Sequence, residues 1–193
     1  MPSKLEEFKK AGFKPERSKL KAAFENGLSE SYLRVENMLY LGAGHGYTIS
    51  HIHSIPLHVY AVEKSKEMMR YFLPLAEQLP GVVPILADAT SPDSFAHQAP
   101  RSVDVVFQDV AQKDQVGIFV ANCRRYLSSH GVGLLVLKAP ATSSTAEPAA
   151  VFADAREQLM KEGMTIVQEI SLEPYQSAHR LFITHAQESH DYF

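Results

Sequence analysis

The residues that could do chemistry sit at the ends of short apolar runs. Residues 38–41 are followed by Gly42-Ala43-Gly44-His45-Gly46-Tyr47-Thr48, 59–62 by Glu63, 82–86 by Ala87-Asp88-Ala89, 103–107 by Gln108-Asp109, and 132–137 by Lys138. A glycine-rich turn lets a ligand approach the backbone closely, so Gly42, Ala43, Gly44, Tyr47 and Thr48 form a candidate cradle. Glu63 stands 21 positions after Gly42, where an acid can accept hydrogen bonds from both ribose hydroxyls of an adenosine. Asp88, beside Ala89, is placed to receive an adenine amino group. Asp109 and Lys138 would project next to the same ligand, and a lysine that closes an apolar strand is costly to bury unless it is paired or functional. Each signal has a plainer alternative: a tight turn for the glycines, a helix cap for Glu63 or for Asp109. Their recurrence at successive strand ends favours one crevice, because open α/β sheets bind ligands at the carboxyl ends of their strands.

Those apolar runs read as buried parallel strands. Between them, residues 48–55, 65–79, 112–127 and 148–162 suit helices, the last stopped by Gly163. Alternating strand and helix implies a doubly wound α/β sheet. After Gly163 two strands, 165–172 and 180–185, follow each other through Glu173-Pro174-Tyr175 with no helix between them, which predicts a closing antiparallel hairpin. Upstream, Ser3-Lys4-Leu5-Glu6 fits a capping box for a short N-terminal helix, and 17–25 predicts a second helix stopped by Gly27. Residues 139–150, small and Ser/Thr-rich, read as a loop entering a helix.

With 193 residues the chain suits one domain. It has no apolar run long enough to span a bilayer, and its single cysteine, Cys123, excludes an internal disulfide and reads as a small buried residue. The start lacks the apolar core of a signal peptide, so an intracellular setting is expected. Nineteen Lys and Arg against 22 Asp and Glu give a net charge of −3, which supplies no broad field for nucleic acid. An RNA substrate would therefore need a local basic patch or a partner.

The spacing Gly42-x-Gly44-x-Gly46 resembles the first motif of class I methyltransferases, whose cofactor has no pyrophosphate to seat; for a dinucleotide the third glycine would fall at Tyr47. More specifically, Arg17-Ser18-Lys19-Leu20, LYLGAGHGYTISHI (39–52), VYAVEKS (59–65), DVVFQDVAQKDQ (104–115), VLKA (136–139) and LEPYQSAH (172–179) together resemble the fibrillarin family of box C/D ribonucleoprotein methyltransferases. The resemblance implies a class I methyltransferase, Rossmann-like α/β fold with a seven-stranded, mostly parallel sheet and a C-terminal antiparallel hairpin. It implies S-adenosyl-L-methionine as cofactor and, as reaction, methylation of ribose 2′-hydroxyls in rRNA or tRNA under guide-RNA direction. The family's catalytic residues match Lys19, Asp109, Lys138 and His179. Its cofactor-binding positions match Gly42, Ala43, Gly44, Tyr47, Thr48, Glu63, Lys64, Asp88, Ala89, Asp109 and Gln112. The partners implied are a Nop-domain scaffold protein and a kink-turn-binding protein on the guide RNA, with no membrane and no metal.

Two departures accompany the likeness. Lys64 stands where the family has an aromatic residue that stacks on adenine, and residues 1–12 read as an arm in place of the family's β-rich N-terminal domain. The family's eukaryotic Gly/Arg-rich tail is missing too, which favours a cytoplasmic, archaeal or other prokaryotic setting over a nucleolar one. Three rival functions remain: a class I methyltransferase of another substrate, a catalytically idle scaffold subunit that binds S-adenosylmethionine, and, more distantly, an NAD oxidoreductase. A metal site at His45, His51, His53 and His58 is disfavoured, since no acid or cysteine completes the set.

Overall fold

The computed structural model describes residues 4–186; Ser3, the proposed cap of the first helix, lies outside them. Helix α1 spans Lys4–Ala11 and α2 Lys19–Glu25. Strands β1 (Asn37–Leu41), β2 (His58–Glu63), β3 (Val82–Leu86), β4 (Val103–Gln108) and β5 (Leu127–Lys138) alternate with α3 (Tyr47–Ile52), α4 (Lys66–Ala76) and α5 (Gln115–Tyr126). Then come α6 (Ala139–Thr142), α7 (Pro148–Lys161), β6 (Met164–Ser171) and β7 (His179–Ala186). Among the described residues these strands make one seven-stranded sheet in the order β3-β2-β1-β4-β5-β7-β6, with β7 antiparallel to both neighbours. The expected α/β sheet with its closing hairpin is the observed one.

Three expectations need adjusting. Strand β3 is the sheet edge, not a buried strand: Val83 and Leu86 are exposed, and Pro84, which donates no hydrogen bond, suits an edge. Residues 139–142 form a short helix with Pro140 in its first turn, inside the expected loop. Helix α5 begins at Gln115, not at residue 112, because Asp114 caps it by accepting from the Gly117 N–H. That leaves 109–113 as a loop at the sheet's carboxyl edge.

Alternation along the strands sorts side chains onto two faces. Met38, Tyr40, Val105, Phe107, Leu134, Val136, Leu181 and Ile183 share a core with α1 to α4. Leu39, Leu41, Val106, Leu135, Leu137 and Phe182 share the other with α5 and α7. Carried to the strand ends, the same alternation puts Asp109, Lys138 and His179 on the face that α2 covers. Helix α2 is held there mainly by apolar burial: Leu20, Ala22 and Ala23 are inaccessible, and burying a leucine contributes about 1.5–3 kcal/mol. Its surface pair Lys21–Glu25 adds about 0.3–0.5 kcal/mol.

The N-terminal segment is fastened to both ends of the crevice. Phe8 is buried with its ring edge-on to Tyr47, and the Tyr47 hydroxyl donates to the Gly12 carbonyl at 2.6 Å while accepting the Lys14 N–H at 2.9 Å. Asn26 Nδ2 donates to the Ser171 and Glu173 carbonyls, and Gln176 Nε2 donates to the Pro15 carbonyl. The expected arm is thus a helix packed on the domain, and the 172–179 turn is tied to the segment that carries Lys19.

Candidate active site

The strand order reverses between β1 and β4, the switch point at which open sheets leave a crevice. There a cleft of about 500 Å³ opens, lined by Gly42, Ala43, Gly44, Tyr47 and Thr48 from the β1 turn, by Glu63 and Lys64 after β2, by Ala89 after β3, and by Asp109 and Gln112 after β4. Most of the expected cradle is therefore its actual wall. The glycine turn is needed for two different reasons. A Cβ on Gly42, whose φ is +91°, would lie 2.3 Å from the Asp109 carbonyl oxygen, and one on Gly46 would collide with Phe72. Gly44, with φ +54°, meets nothing within 4 Å, so its open side is the cleft itself.

Glu63 does not cap α4, since Ser65 does by accepting the Met68 N–H, and its carboxylate leaves room for the functional role. Its Oε1 accepts the Ser65 N–H and its Oε2 the Gly44 N–H, both at 2.8 Å. A carboxylate offers about four lone-pair sites, so two remain for ligand hydroxyls. Asp109 does not cap α5, since Asp114 does. Its carboxylate instead lies 3.2 Å from Lys19 Nζ. Both groups are partly exposed, so the pair contributes little stability; what it fixes is the orientation of two charges at the cleft.

Asp88 stands between the lining residues Ala87 and Ala89, its Oδ1 accepting the Thr90 N–H at 2.9 Å. That bond, with the nearby Lys64 and Gln112, holds its carboxyl below the usual range. Lys64 Nζ is 3.9 Å from Asp88 Oδ2. With Lys64 52% exposed, losing so weak a pair costs little. Lys64→Phe should therefore tighten binding of S-adenosylmethionine by roughly 1–3 kcal/mol, the contribution of an aromatic stacked on a base; unchanged affinity in calorimetry would mean that another group already covers the adenine face.

Lys138 and His179 lie beside this cleft, directly opposite each other in the β5–β7 register. The Ala139 N–H donates to the Ala178 carbonyl and the Leu172 N–H to the His179 carbonyl, so Lys138 and His179 form a non-hydrogen-bonded pair, the closer kind. Ala178 reaches its left-handed φ of 56° with its N–H held by Glu173 Oε1. His179 Nδ1 donates to the Ser177 carbonyl at 2.7 Å, a partner that can only accept. Nε2 then carries a lone pair, buried and without a hydrogen-bond partner among the described residues. Burial lowers the His179 pKa below 6.5, Lys19 and Lys138 lower it further, and the Ser177 bond and Asp109 act the other way. All four motif residues thus lie within one electrostatic neighbourhood.

That shift has a testable sign. With a folded pKa below 6.5, His179 is mostly neutral at pH 7, and the stability it contributes above 6.5 is lost as pH falls through the folded value. If neutral Nε2 is needed, the acid limb of the kcat/KM profile, which reports the free protein, should have its midpoint below pH 6.5 and be absent in His179→Gln; a midpoint above 6.5 would contradict this.

Arg17 and Tyr40 also line the cleft and were not among the expected site residues. The Arg17 guanidinium lies 4.2 Å from the Tyr47 ring centroid, and its motif was a signal without a role. Tyr40 reads as an ordinary core aromatic; burial and the neighbouring Asp109 push its phenol pKa far up. Of the histidines, His51 stacks on Phe13 and His45 faces Tyr71, and among the described residues no group of three His, Cys, Asp or Glu side chains is placed to hold a metal.

Comparison with known proteins places these features in one family. A family model described as Fibrillarin matches residues 2–188. A Thermococcus onnurineus protein named fibrillarin-like rRNA/tRNA 2′-O-methyltransferase is 38% identical over 173 residues, 88% of this chain and 76% of that one. A solved fibrillarin/Nop5p complex contains a chain 34% identical, with TM-score 0.81, covering 89% of this chain and 82% of its own. The Aeropyrum pernix fibrillarin, solved with natively bound S-adenosyl-L-methionine, is 33% identical with TM-score 0.79, covering 88% and 75%. With motif residues from the N-terminal segment to β7 gathered at one sheet edge, and the family model spanning that whole stretch, the chain belongs to the fibrillarin family.

Proposed function

We propose that this protein transfers the methyl group of S-adenosylmethionine to ribose 2′-hydroxyls of rRNA or tRNA. The observation that carries this reading is the convergence of Lys19, Asp109, Lys138 and His179 on one face of the sheet, beside a cleft sized for a nucleoside. The residues present fit the cofactor: Gly44 leaves open space, Glu63 keeps free lone pairs for a ribose diol, and Ala89, Lys64 and Gln112 border the place of the base. Bound there, S-adenosylmethionine supplies the methyl group on a sulfonium.

The chain's own residues handle the acceptor. A ribose hydroxyl is a weak nucleophile, and much of the acceleration can come from holding it in line. We assign to Lys138 the proton or developing negative charge on that oxygen. Asp109 orients Lys19 at the cleft, and the Nε2 lone pair of His179 accepts a hydrogen bond from the ribose or takes its proton.

The complex of a fibrillarin with Nop5p supports a Nop-domain scaffold as partner. We further assign target choice to a guide RNA with its kink-turn-binding protein, since a chain of net charge −3 gains little from phosphate attraction alone. Residues 4–186, built around one sheet, are read as a single catalytic domain. Its relatives in Thermococcus and Aeropyrum, archaea without a nucleolus, support a cytoplasmic setting.

Calorimetry on the purified chain tests the cofactor assignment. S-adenosylmethionine should bind and NAD should not, because Tyr47, which occupies the third glycine position of a dinucleotide motif, is locked to Gly12 and Lys14. Binding of NAD without S-adenosylmethionine would end this reading.

A further inference from the structure

We infer that Gln115 is a positioning residue for Lys138, an inference that rests on the role proposed above for that lysine. Strand β4 ends at Gln108, which is paired with Leu135. Beyond it the chain turns away at Asp109 to line the cleft, so the last residues of β5 have no strand beside them on that side. The main-chain N–H and C=O of Lys138 both face this gap, since its neighbour Ala139 bonds on the other side to Ala178, the residue just before β7.

The Gln115 side chain fills the gap as a missing strand residue would. Its Oε1 accepts the Lys138 N–H at 2.9 Å and its Nε2 donates to the Lys138 carbonyl at 3.0 Å. The second Nε2 hydrogen goes to Thr142 Oγ1 at 2.7 Å. Gln115 is in turn fixed: it is 1% exposed, and its own carbonyl accepts from the Nε2 of the fully buried Gln108 at 2.7 Å. A relay of amides therefore runs from β4 through the first residue of α5 to the end of β5. It sets the direction of the Lys138 Cα–Cβ bond, and with it the region the amine can reach. No other side chain amide in this chain bonds both main-chain groups of a strand residue among the described hydrogen bonds, so the arrangement is local to the one residue that must be aimed.

Gln115→Met keeps length and volume and removes both bonds, Gln115→Glu keeps the acceptor for the Lys138 N–H, and Thr142→Val removes only the side branch. In a reconstituted guide complex with saturating S-adenosylmethionine, Gln115→Met should lower kcat on the order of tenfold to a hundredfold, the cost of misplacing a reacting group by a fraction of an ångström to one ångström. KM for the RNA and the calorimetric Kd for S-adenosylmethionine should stay at wild-type values. Gln115→Glu should retain an intermediate kcat, and Thr142→Val should stay near wild type. Wild-type kcat in Gln115→Met, or a parallel loss of cofactor affinity with no recovery in Gln115→Glu, would overturn the inference. If Gln115→Met does not fold, wild-type kcat in Gln115→Glu overturns it and a selective loss of kcat supports it. Lys138→Met in the same assay separates the levels: loss of activity there with an indifferent Gln115 rejects only the positioning role, whereas an active Lys138→Met rejects the reading beneath it.

Discussion

Lys138→Met should abolish most methyl transfer while leaving the cofactor bound. Methionine keeps an unbranched apolar stem of similar length, so the end of β5, clamped through its main chain by Gln115, has no reason to move. Lys138 projects from the strand beside the cleft and is not one of the groups that wall it, so the Kd for S-adenosylmethionine should change little. What disappears is the amine proposed to face the hydroxyl in the transition state. Removing a general base or a charge stabiliser costs on the order of a hundredfold or more in rate, about 2.7 kcal/mol on the barrier. Single-turnover assays in the guide complex, read beside calorimetry, check both halves. A wild-type rate would remove Lys138 from the site, and an equal loss of affinity and rate would place it in cofactor binding instead.

Gly42→Ala should fail earlier, at the level of the fold. The substitution meets two independent obstacles: a backbone φ of +91°, and a Cβ 2.3 Å from the Asp109 carbonyl oxygen and 3.2 Å from Val110. Strain at such a φ costs of order 1–3 kcal/mol, and overpacking a tight contact costs typically 1–3 kcal/mol. A combined loss near 3 kcal/mol would lower Tm by roughly 6–12 °C in a chain of this size. Relief requires β1 and the Asp109 loop to part, which also moves Asp109 from Lys19 and opens the cleft, so binding of S-adenosylmethionine should fall below detection. Gly44→Ala is the contrast. Its Cβ meets nothing within 4 Å and its φ of +54° lies in the left-handed region that side chains can enter, so Tm should hold far better while the new methyl obstructs the ligand. Equal Tm for Gly42→Ala and wild type would mean that the two strand ends are not in the close contact described.

These contrasts also show what could be read from the sequence and what could not. The glycine turn, Glu63 and Asp109 were legible because each closes an apolar run, and strand ends of an α/β sheet share one edge by topology. Lys19 and His179 were legible only through motifs: nothing in an exposed helix lysine or a turn histidine signals that α2 and β7 bring them to the same face. The exposed edge position of β3 was written in Pro84 but overridden by its apolar neighbours. Gln115 was visible as the last residue of a motif, yet its function depends on a gap between two strands, which no local pattern encodes. Tyr40 and Arg17 were missed for the same reason, one indistinguishable from core packing and the other from a surface charge until the cleft between them and Tyr47 is seen.

Methylation of ribose oxygen by this chain can be observed directly. The most direct measurement is mass spectrometry of a guide-directed RNA target, incubated with the chain, its Nop-domain and kink-turn-binding partners, and S-adenosylmethionine carrying a labelled methyl group. A single labelled methyl is expected on the 2′-oxygen of the guided nucleotide, lost with Lys138→Met. Label on a base or on protein, or no label from a complex that assembles and binds S-adenosylmethionine, would contradict it.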